Sequence, residues 1–118
     1  MSDVRRGWVI DVDLEPTRGS KTGKVRPCVV VTNDVYNERV PVIQVVPLTE
    51  WTAKKGKIRT NVRVEPSVLN GLSKLSLADC LQTRPIDQRL RLVAVRGELE
   101  ADILGEIDRA LRVVFGLV

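Results

Sequence analysis

Cys28-Val29-Val30-Val31-Thr32 is an unbroken apolar run, and its reading decides the fold. A strand with one wet face alternates apolar and polar residues. A run without alternation is apolar on both sides and predicts a strand covered from both faces. Working outward, similar short segments recur. Trp8-Val9-Ile10-Asp11-Val12 precedes it, and Val42-Ile43-Gln44-Val45-Val46 follows, with Pro47 near its end. Asn61-Val62-Arg63-Val64 alternates like a half-exposed strand. Leu75 to Leu81 and Leu92-Val93-Ala94-Val95 complete the set. Aromatic residues are only 3% of the chain, so Val, Leu and Ile must fill most of the core. That mix favours strands, because branched side chains pack well on a pleated surface.

The connections are as informative as the strands. Glu15 to Lys24 is rich in turn formers and has no apolar periodicity, and Arg18, Lys21 and Lys24 follow Glu15 with no further acid. Long loops of this kind in small domains are often functional. Asn33 and Asp34 supply caps for a short helical turn through Tyr36 and Asn37. Trp51-Thr52-Ala53-Lys54-Lys55-Gly56-Lys57 is a second basic loop, Pro66 to Gly71 breaks the strand pattern, and Ile86 to Leu90 fits a single helical turn. Near the C-terminus Leu99, Ile103, Ile107, Ala110, Leu111 and Val114 recur at helical spacing on one face. Acids Glu98, Glu100 and Asp102 crowd the start of that helix, Arg109 and Arg112 sit near its end, and Gly116 fits a terminator. Gly105 inside it costs about 1 kcal/mol of helix propensity relative to alanine, which predicts a close-packed neighbour. Several strands followed by a helix, over 118 residues, imply one domain spanning 1–118: a small curled sheet or barrel with helices at its ends.

Charge is unevenly distributed. Residues 1–63 carry twelve Lys/Arg against seven Asp/Glu, and residues 64–118 carry seven against eight. A basic half suits a polyanionic partner, whose phosphates release counterions on contact. No apolar stretch is long enough to span a membrane, and the first residues lack the apolar run of a signal peptide, so a cytoplasmic protein is expected. Cys28 and Cys80 both lie in apolar runs and read as reduced, buried side chains.

The composition narrows the chemistry. There is no histidine, which excludes a Ser-His-Asp triad and a Cys-His pair. With neither histidine nor a CxxC pattern, no zinc site is expected; no carboxylate cluster of the DxD type supports a two-metal nuclease, and no GxxxxGK[ST] loop is present. No cofactor is expected. RNA cleavage stays open, because the 2′-hydroxyl of RNA can attack its own neighbouring phosphate. The protein then has to orient that hydroxyl, stabilise the phosphorane and help the 5′-oxygen leave. Arginine meets the charge requirement with fixed planar donors, and DNA, lacking the hydroxyl, is spared.

Five segments in order resemble one family, the MazF/PemK toxins. Arg5-Arg6-Gly7 and the following Trp8 to Ser20 resemble its opening, RRGDIYWVDLDPTRGSE; Val25 to Asp34 resembles RPAVVVSND; Val45-Val46-Pro47-Leu48-Thr49 resembles VVPLTS. Thr83 to Leu90 is similar to TVDKSRL, and Ile107 to Leu111 to VDEALK. The resemblance runs from Arg5 to Leu117. It implies an α+β, mainly β fold, an SH3-like barrel with short helices and a C-terminal helix, acting as a homodimer. It also implies metal-independent cleavage of single-stranded RNA, mostly messenger RNA, at short motifs, and inhibition by a MazE-like antitoxin with an acidic, disordered tail. The family's catalytic arginine falls on Arg26, its PLT threonine on Thr49 and its loop serine on Ser20. Arg26 would stabilise the phosphorane and assist the leaving oxygen, Thr49 would orient the phosphate or attacking hydroxyl, and Ser20 would hold the phosphate or the loop. RNA contacts are expected from Arg18, Lys21, Lys24, Asn33, Asn37, Lys54, Lys55 and Lys57, with Trp51 stacking on a base or packing against the barrel. Two departures stand out: Lys21 replaces the glutamate of the family's GSE, and Cys80 and Gln82 replace polar residues of its DQIRT segment. Two other readings share this shape, a CcdB-like gyrase inhibitor and a non-catalytic SH3-like RNA-binding module. The intact Arg26 and Thr49 argue against the first; the second predicts salt-sensitive RNA binding without cleavage products.

Overall fold

In the computed structural model, residues 4–15 and 24–117 are described. The run Cys28–Val31 lies in the middle of the sheet, as its two-sided apolar character requires. Strand β1 is Trp8–Glu15, β2 is Lys24–Val30 and β3 is Val42–Glu50; β4 (Asn61–Val64), β5 (Ser76–Asp79), β6 (Arg84–Asp87) and β7 (Leu92–Glu98) follow. Short helices α1 (Asp34–Asn37), α2 (Ala53–Gly56) and α3 (Gln88–Arg91) and a 3-10 turn at Cys80–Gln82 fill the connections, and α4 (Ala101–Phe115) closes the chain. All strand pairs are antiparallel. The strand order is β4-β5-β3-β2-β1-β7, with β6 also on β3.

Alternation along the central strands sorts their side chains into two cores. Val9, Val29, Val46 and Leu48 join Val62, Val64, Ala78, Cys80, Leu99, Ile107 and Ala110 beneath α4. The neighbouring positions Ile10, Val12, Cys28, Val30, Ile43 and Val45 join Val4, Leu14 and Ile86 on the other face. The two cysteines are free, buried and in different cores. Burial pushes the Cys28 thiol up to about 12, and the Cys80 thiol likewise to about 12, which makes both poor nucleophiles.

Several expectations gain detail. Asn33 caps α1 by accepting from the Val35 amide at 2.9 Å. Gly116 ends α4 in the left-handed conformation, at φ 68°, while the Leu117 amide donates to Arg112 at 2.8 Å. The segment Trp51–Lys57 is not all loop, because Thr52 caps a helical turn by accepting from Lys55. The helical turn expected over Ile86–Leu90 is present but begins later, at Gln88–Arg91, because Arg84–Asp87 is strand β6. Charge and a proline hide that strand, whose single buried residue is Ile86. No close neighbour packs on Gly105; a β-carbon there would meet only the far end of Arg109, at 3.7 Å. The close approach occurs at Gly97 in β7, where a β-carbon would collide with the Leu69 carbonyl oxygen. Glu98 donates its amide to that same oxygen at 2.9 Å.

Two predictions follow from these positions. Gly97→Ala forces the loop at Leu69–Gly71 away from β7 and should cost more than about 2 kcal/mol, whereas Gly105→Ala should gain about 0.5–1 kcal/mol of propensity; urea unfolding of the two variants reads both signs. The second concerns acid. The hydrogen bond from the Arg6 amide, aided by one from the Asn37 side chain and by the charges of Arg5 and Arg6, holds Asp34 below the usual carboxylate range. Burial pushes Glu100 up, but hydrogen bonds from Ser67 at 2.6 Å and Asn70 at 3.2 Å outweigh it and hold its pKa down. A depressed folded-state pKa contributes stability above the unfolded value that is lost as pH falls through the folded one. Unfolding free energy should therefore drop from about pH 5 downward, and Glu100→Gln should flatten that drop in denaturant titrations across the range.

Candidate active site

The site arises where β3 changes partners. Val45–Pro47 pairs with Val30–Cys28 of β2, Val42–Val45 pairs with β6 and Leu48–Glu50 pairs with β5. Pro47, with no amide to donate, stands at this transition. The β2–β3 ladder ends at the Cys28–Pro47 pair. One step of two residues outward on each strand stand Arg26 and Thr49. Two-residue periodicity puts both on the face that the pair shares. Beyond the pair the strands part, and the gap is a pocket of about 280 Å³.

Strand β2 contributes Arg26 and Pro27 to this pocket, and β3 contributes Leu48, Thr49 and Glu50. Leu72, Ser73 and Lys74, from the segment before β5, form another wall with Ser76 and with Arg96 of β7. Arg96 is already engaged: its Nε donates to Asp11 at 2.7 Å and its Nη1 to the Gly71 carbonyl at 3.3 Å. It braces the wall and neutralises a carboxylate inside β1. Arg26 and Lys74 form no ion pair with any described carboxylate. Both are thus open to an anion. A larger cavity of about 500 Å³ lies by α4, but Glu65, Glu100, Asp102 and Glu106 line it, and a phosphate would be repelled there. Chemistry, rather than size, marks the smaller pocket.

Of the residues singled out from the sequence, Arg26 and Thr49 come together, both half-buried in one pocket. Ser20, Arg18 and Lys21 lie outside the described residues. Lys24 is exposed at the start of β2, on the same strand face as Arg26. Lys54, Lys55 and Lys57 are exposed on and beside α2, a few residues past Glu50. Asn33 and Asn37 sit past the other end of β2. Asn33 is exposed, and its Oδ1 caps α1; Asn37 needs correction. Asn37 is 1% exposed and donates to the Thr32 carbonyl at 2.8 Å and to Asp34 at 3.0 Å. Its role is to tie α1 to the strand, and it offers nothing to a bound strand of RNA. Trp51 packs rather than presents its face. The Arg63 guanidinium lies 5.6 Å from the ring centroid, and the Gly56 backbone is so near that a β-carbon would stand 3.0 Å from the indole nitrogen.

Sequence reading missed Glu50, Ser73, Lys74 and Arg96 as pocket residues. Glu50 had a usable signal, adjacency to Thr49. The others are brought in by strand pairing over long separations, for which no local pattern exists. Among the described residues, no three His, Cys, Asp or Glu side chains are placed to hold a metal ion.

Comparison with known proteins agrees with this architecture. Residues 5–115 match the family model of the PemK-like, MazF-like toxin of type II toxin-antitoxin system. The chain is 36% identical over 114 residues to the endoribonuclease MazF of Staphylococcus epidermidis, covering 97% of this chain and 92% of that protein. A MazE–MazF crystal structure from Deinococcus radiodurans superposes with a TM-score of 0.80 at 24% identity, covering 100% of both chains. The Mycobacterium tuberculosis toxin MazF-mt6 superposes with a TM-score of 0.76 at 23% identity, over 94% of this chain and 98% of that one. These two likenesses speak for the fold, and the family match and the Staphylococcus relative carry the classification. The chain therefore belongs to the PemK-like, MazF-like toxins of type II toxin-antitoxin systems.

Proposed function

We propose that this toxin is a metal-independent endoribonuclease that cleaves single-stranded RNA, chiefly messenger RNA, at short motifs and so arrests translation and growth. The observation that carries this reading is the meeting of Arg26 and Thr49 in one pocket at the end of the β2–β3 ladder. The relative from Staphylococcus epidermidis bears the name endoribonuclease.

The chemistry follows from the side chains. The scissile phosphate sits between the Arg26 guanidinium and the Thr49 hydroxyl. Thr49 donates to a phosphate oxygen and fixes its orientation, and the ribose 2′-oxygen attacks phosphorus in line. Two negative oxygens develop on the phosphorane, and a fixed planar cation stabilises that state more than the ground state. Ser20, four residues before β2 in the sequence, is assigned to holding the phosphate. Lys24, Lys54, Lys55 and Lys57, with Arg18 and Lys21, track the flanking backbone.

The same reading includes a partner. A MazE-like antitoxin with an acidic segment would neutralise the open cations Arg26 and Lys74; solved relatives include MazE–MazF complexes. A homodimer suits β7, which pairs only with β1 among the described residues and exposes Val93 and Val95. Action in the cytoplasm suits two free, buried cysteines. No helix among the described residues is long and apolar enough to cross a membrane.

The test is cleavage of a long single-stranded RNA in excess EDTA. Wild-type protein should cut at a few short motifs and leave DNA of the same sequence intact. Arg26→Ala should cut about 10³-fold more slowly with unchanged melting temperature, the scale of losing one charge-stabilising donor. Arg26→Lys should restore little, because a point charge does not replace the planar fork. RNA left whole at high protein concentration, or full activity in Arg26→Ala, would contradict the proposal.

A further inference from the structure

Self-cleavage of RNA moves two protons, and the pocket has to account for both. The 2′-hydroxyl must lose one to attack, and the 5′-oxygen must gain one to leave. Neither Arg26 nor Thr49 is suited to taking the first. A guanidinium cannot be deprotonated in a protein, and a threonine hydroxyl is a donor with no basicity near neutral pH. Histidine is absent from the chain. Among the described residues, the pocket wall holds one carboxylate, Glu50, next to Thr49, and one lysine, Lys74.

Glu50 is held by paired backbone, and Lys74 by a hydrogen bond at the start of the same strand pair. Glu50 is registered against Ser76 in the β3–β5 ladder, and the next amide, of Trp51, donates to Leu75 at 3.1 Å. Lys74 is fixed from the other side, where Ser76 Oγ donates to the Lys74 carbonyl at 3.0 Å. Among the described residues neither side chain forms an ion pair. Each keeps its charge free for substrate. The charged groups that face Glu50 across the pocket are Arg26 from β2, Lys74 from the segment before β5 and Arg96 from β7, the last satisfied by Asp11.

We infer that Glu50 is the general base and Lys74 the general acid of the cleavage step, an assignment that rests on the endoribonuclease reading. The Glu50 carboxylate takes the proton of the 2′-hydroxyl as the 2′-oxygen bonds to phosphorus. The bond from phosphorus to the 5′-oxygen breaks, and that oxygen takes a proton from the Lys74 ammonium. The products are a 2′,3′-cyclic phosphate and a free 5′-hydroxyl. Glu50, now a carboxylic acid, and Lys74, now an amine, return to their starting forms by exchanging protons with water. Arg26 remains charged throughout and acts on the phosphorane alone.

The experiment uses the full chain and a short oligoribonucleotide carrying a site that the wild-type protein cuts, followed at single turnover across pH. Glu50→Gln should fold normally, cut about 10²-fold more slowly, keep its RNA affinity within about twofold, and have a rate–pH profile that differs from that of the wild type. Lys74→Met should also slow cutting. An oligonucleotide with sulfur in place of the 5′-bridging oxygen has a leaving group that needs no proton. On it Lys74→Met should recover to the wild-type rate and Glu50→Gln should stay slow. A Glu50→Gln enzyme with wild-type rate and pH profile would overturn the assignment while leaving the endoribonuclease reading intact. So would one that binds RNA more tightly and cuts faster, which would make Glu50 a repulsive gate. A wild-type protein that cuts no RNA would instead remove the reading beneath both.

Discussion

The structure turns on one limited pairing. The ladder of strands β2 and β3 runs from Val30–Val45 to Cys28–Pro47 and stops there on the Arg26 side. Inside that stretch every inward residue belongs to a core: Cys28, Val30 and Val45 on one face, Val29 and Val46 on the other. Just outside it, the same strands carry Arg26 and Thr49. The apolar ladder thus does two things at once. It buries the centre of the fold from both sides, and it delivers a cation and a hydroxyl to the rim with the rigidity of paired backbone. Sites built on strands hold geometry better than sites built on loops, and charge stabilisation depends on that prearrangement.

The rim is completed from elsewhere in the chain. Arg96 pins the segment before β5 by donating to Gly71 while paired with Asp11, and Gly97 lets that segment approach β7 closely enough for Glu98 to bond Leu69. Ser67 and Asn70 in turn hold Glu100 at the start of α4. The wall that carries Lys74 is thereby tied to β1, β7 and α4. In the proposed reading, a flexible strand of RNA meets a stiff, partly enclosed pocket flanked by exposed lysines on α2 and at the start of β2.

What could be read without coordinates, and what could not, divides along physical lines. The apolar run at Cys28–Val31, the alternation at Asn61–Val64 and the periodicity of α4 are local patterns, and each reported its element. Caps are local too, and Asn33 and Gly116 cap as their chemistry suggests. Arg26 and Thr49 were legible through resemblance to a family pattern. Strand β6 was not, because β3 selects it by pairing and only Ile86 of its residues is buried. Asn37 was misjudged for a related reason: it looks like a contact residue until tertiary structure shows that it is interior, and of the two readings open for Trp51 the packed one fits its approach to Gly56 and Arg63. Lys74 and Arg96 reach the pocket through non-local register, which single-residue patterns do not encode.

The central claim is that the substrate's own ribose performs the attack while Arg26 and Thr49 hold the phosphate. The measurement that tests it most directly is cleavage of an oligoribonucleotide in which the one nucleotide 5′ to the scissile phosphate is 2′-deoxy and all others are unchanged. The account predicts that the substituted oligonucleotide binds as the parent does and is not cut. The parent should yield fragments ending in a 2′,3′-cyclic phosphate and a 5′-hydroxyl. Cutting of both at comparable rates, or fragments with 5′-phosphate ends, would mean that water or another nucleophile attacks and that the role assigned to the pocket is wrong.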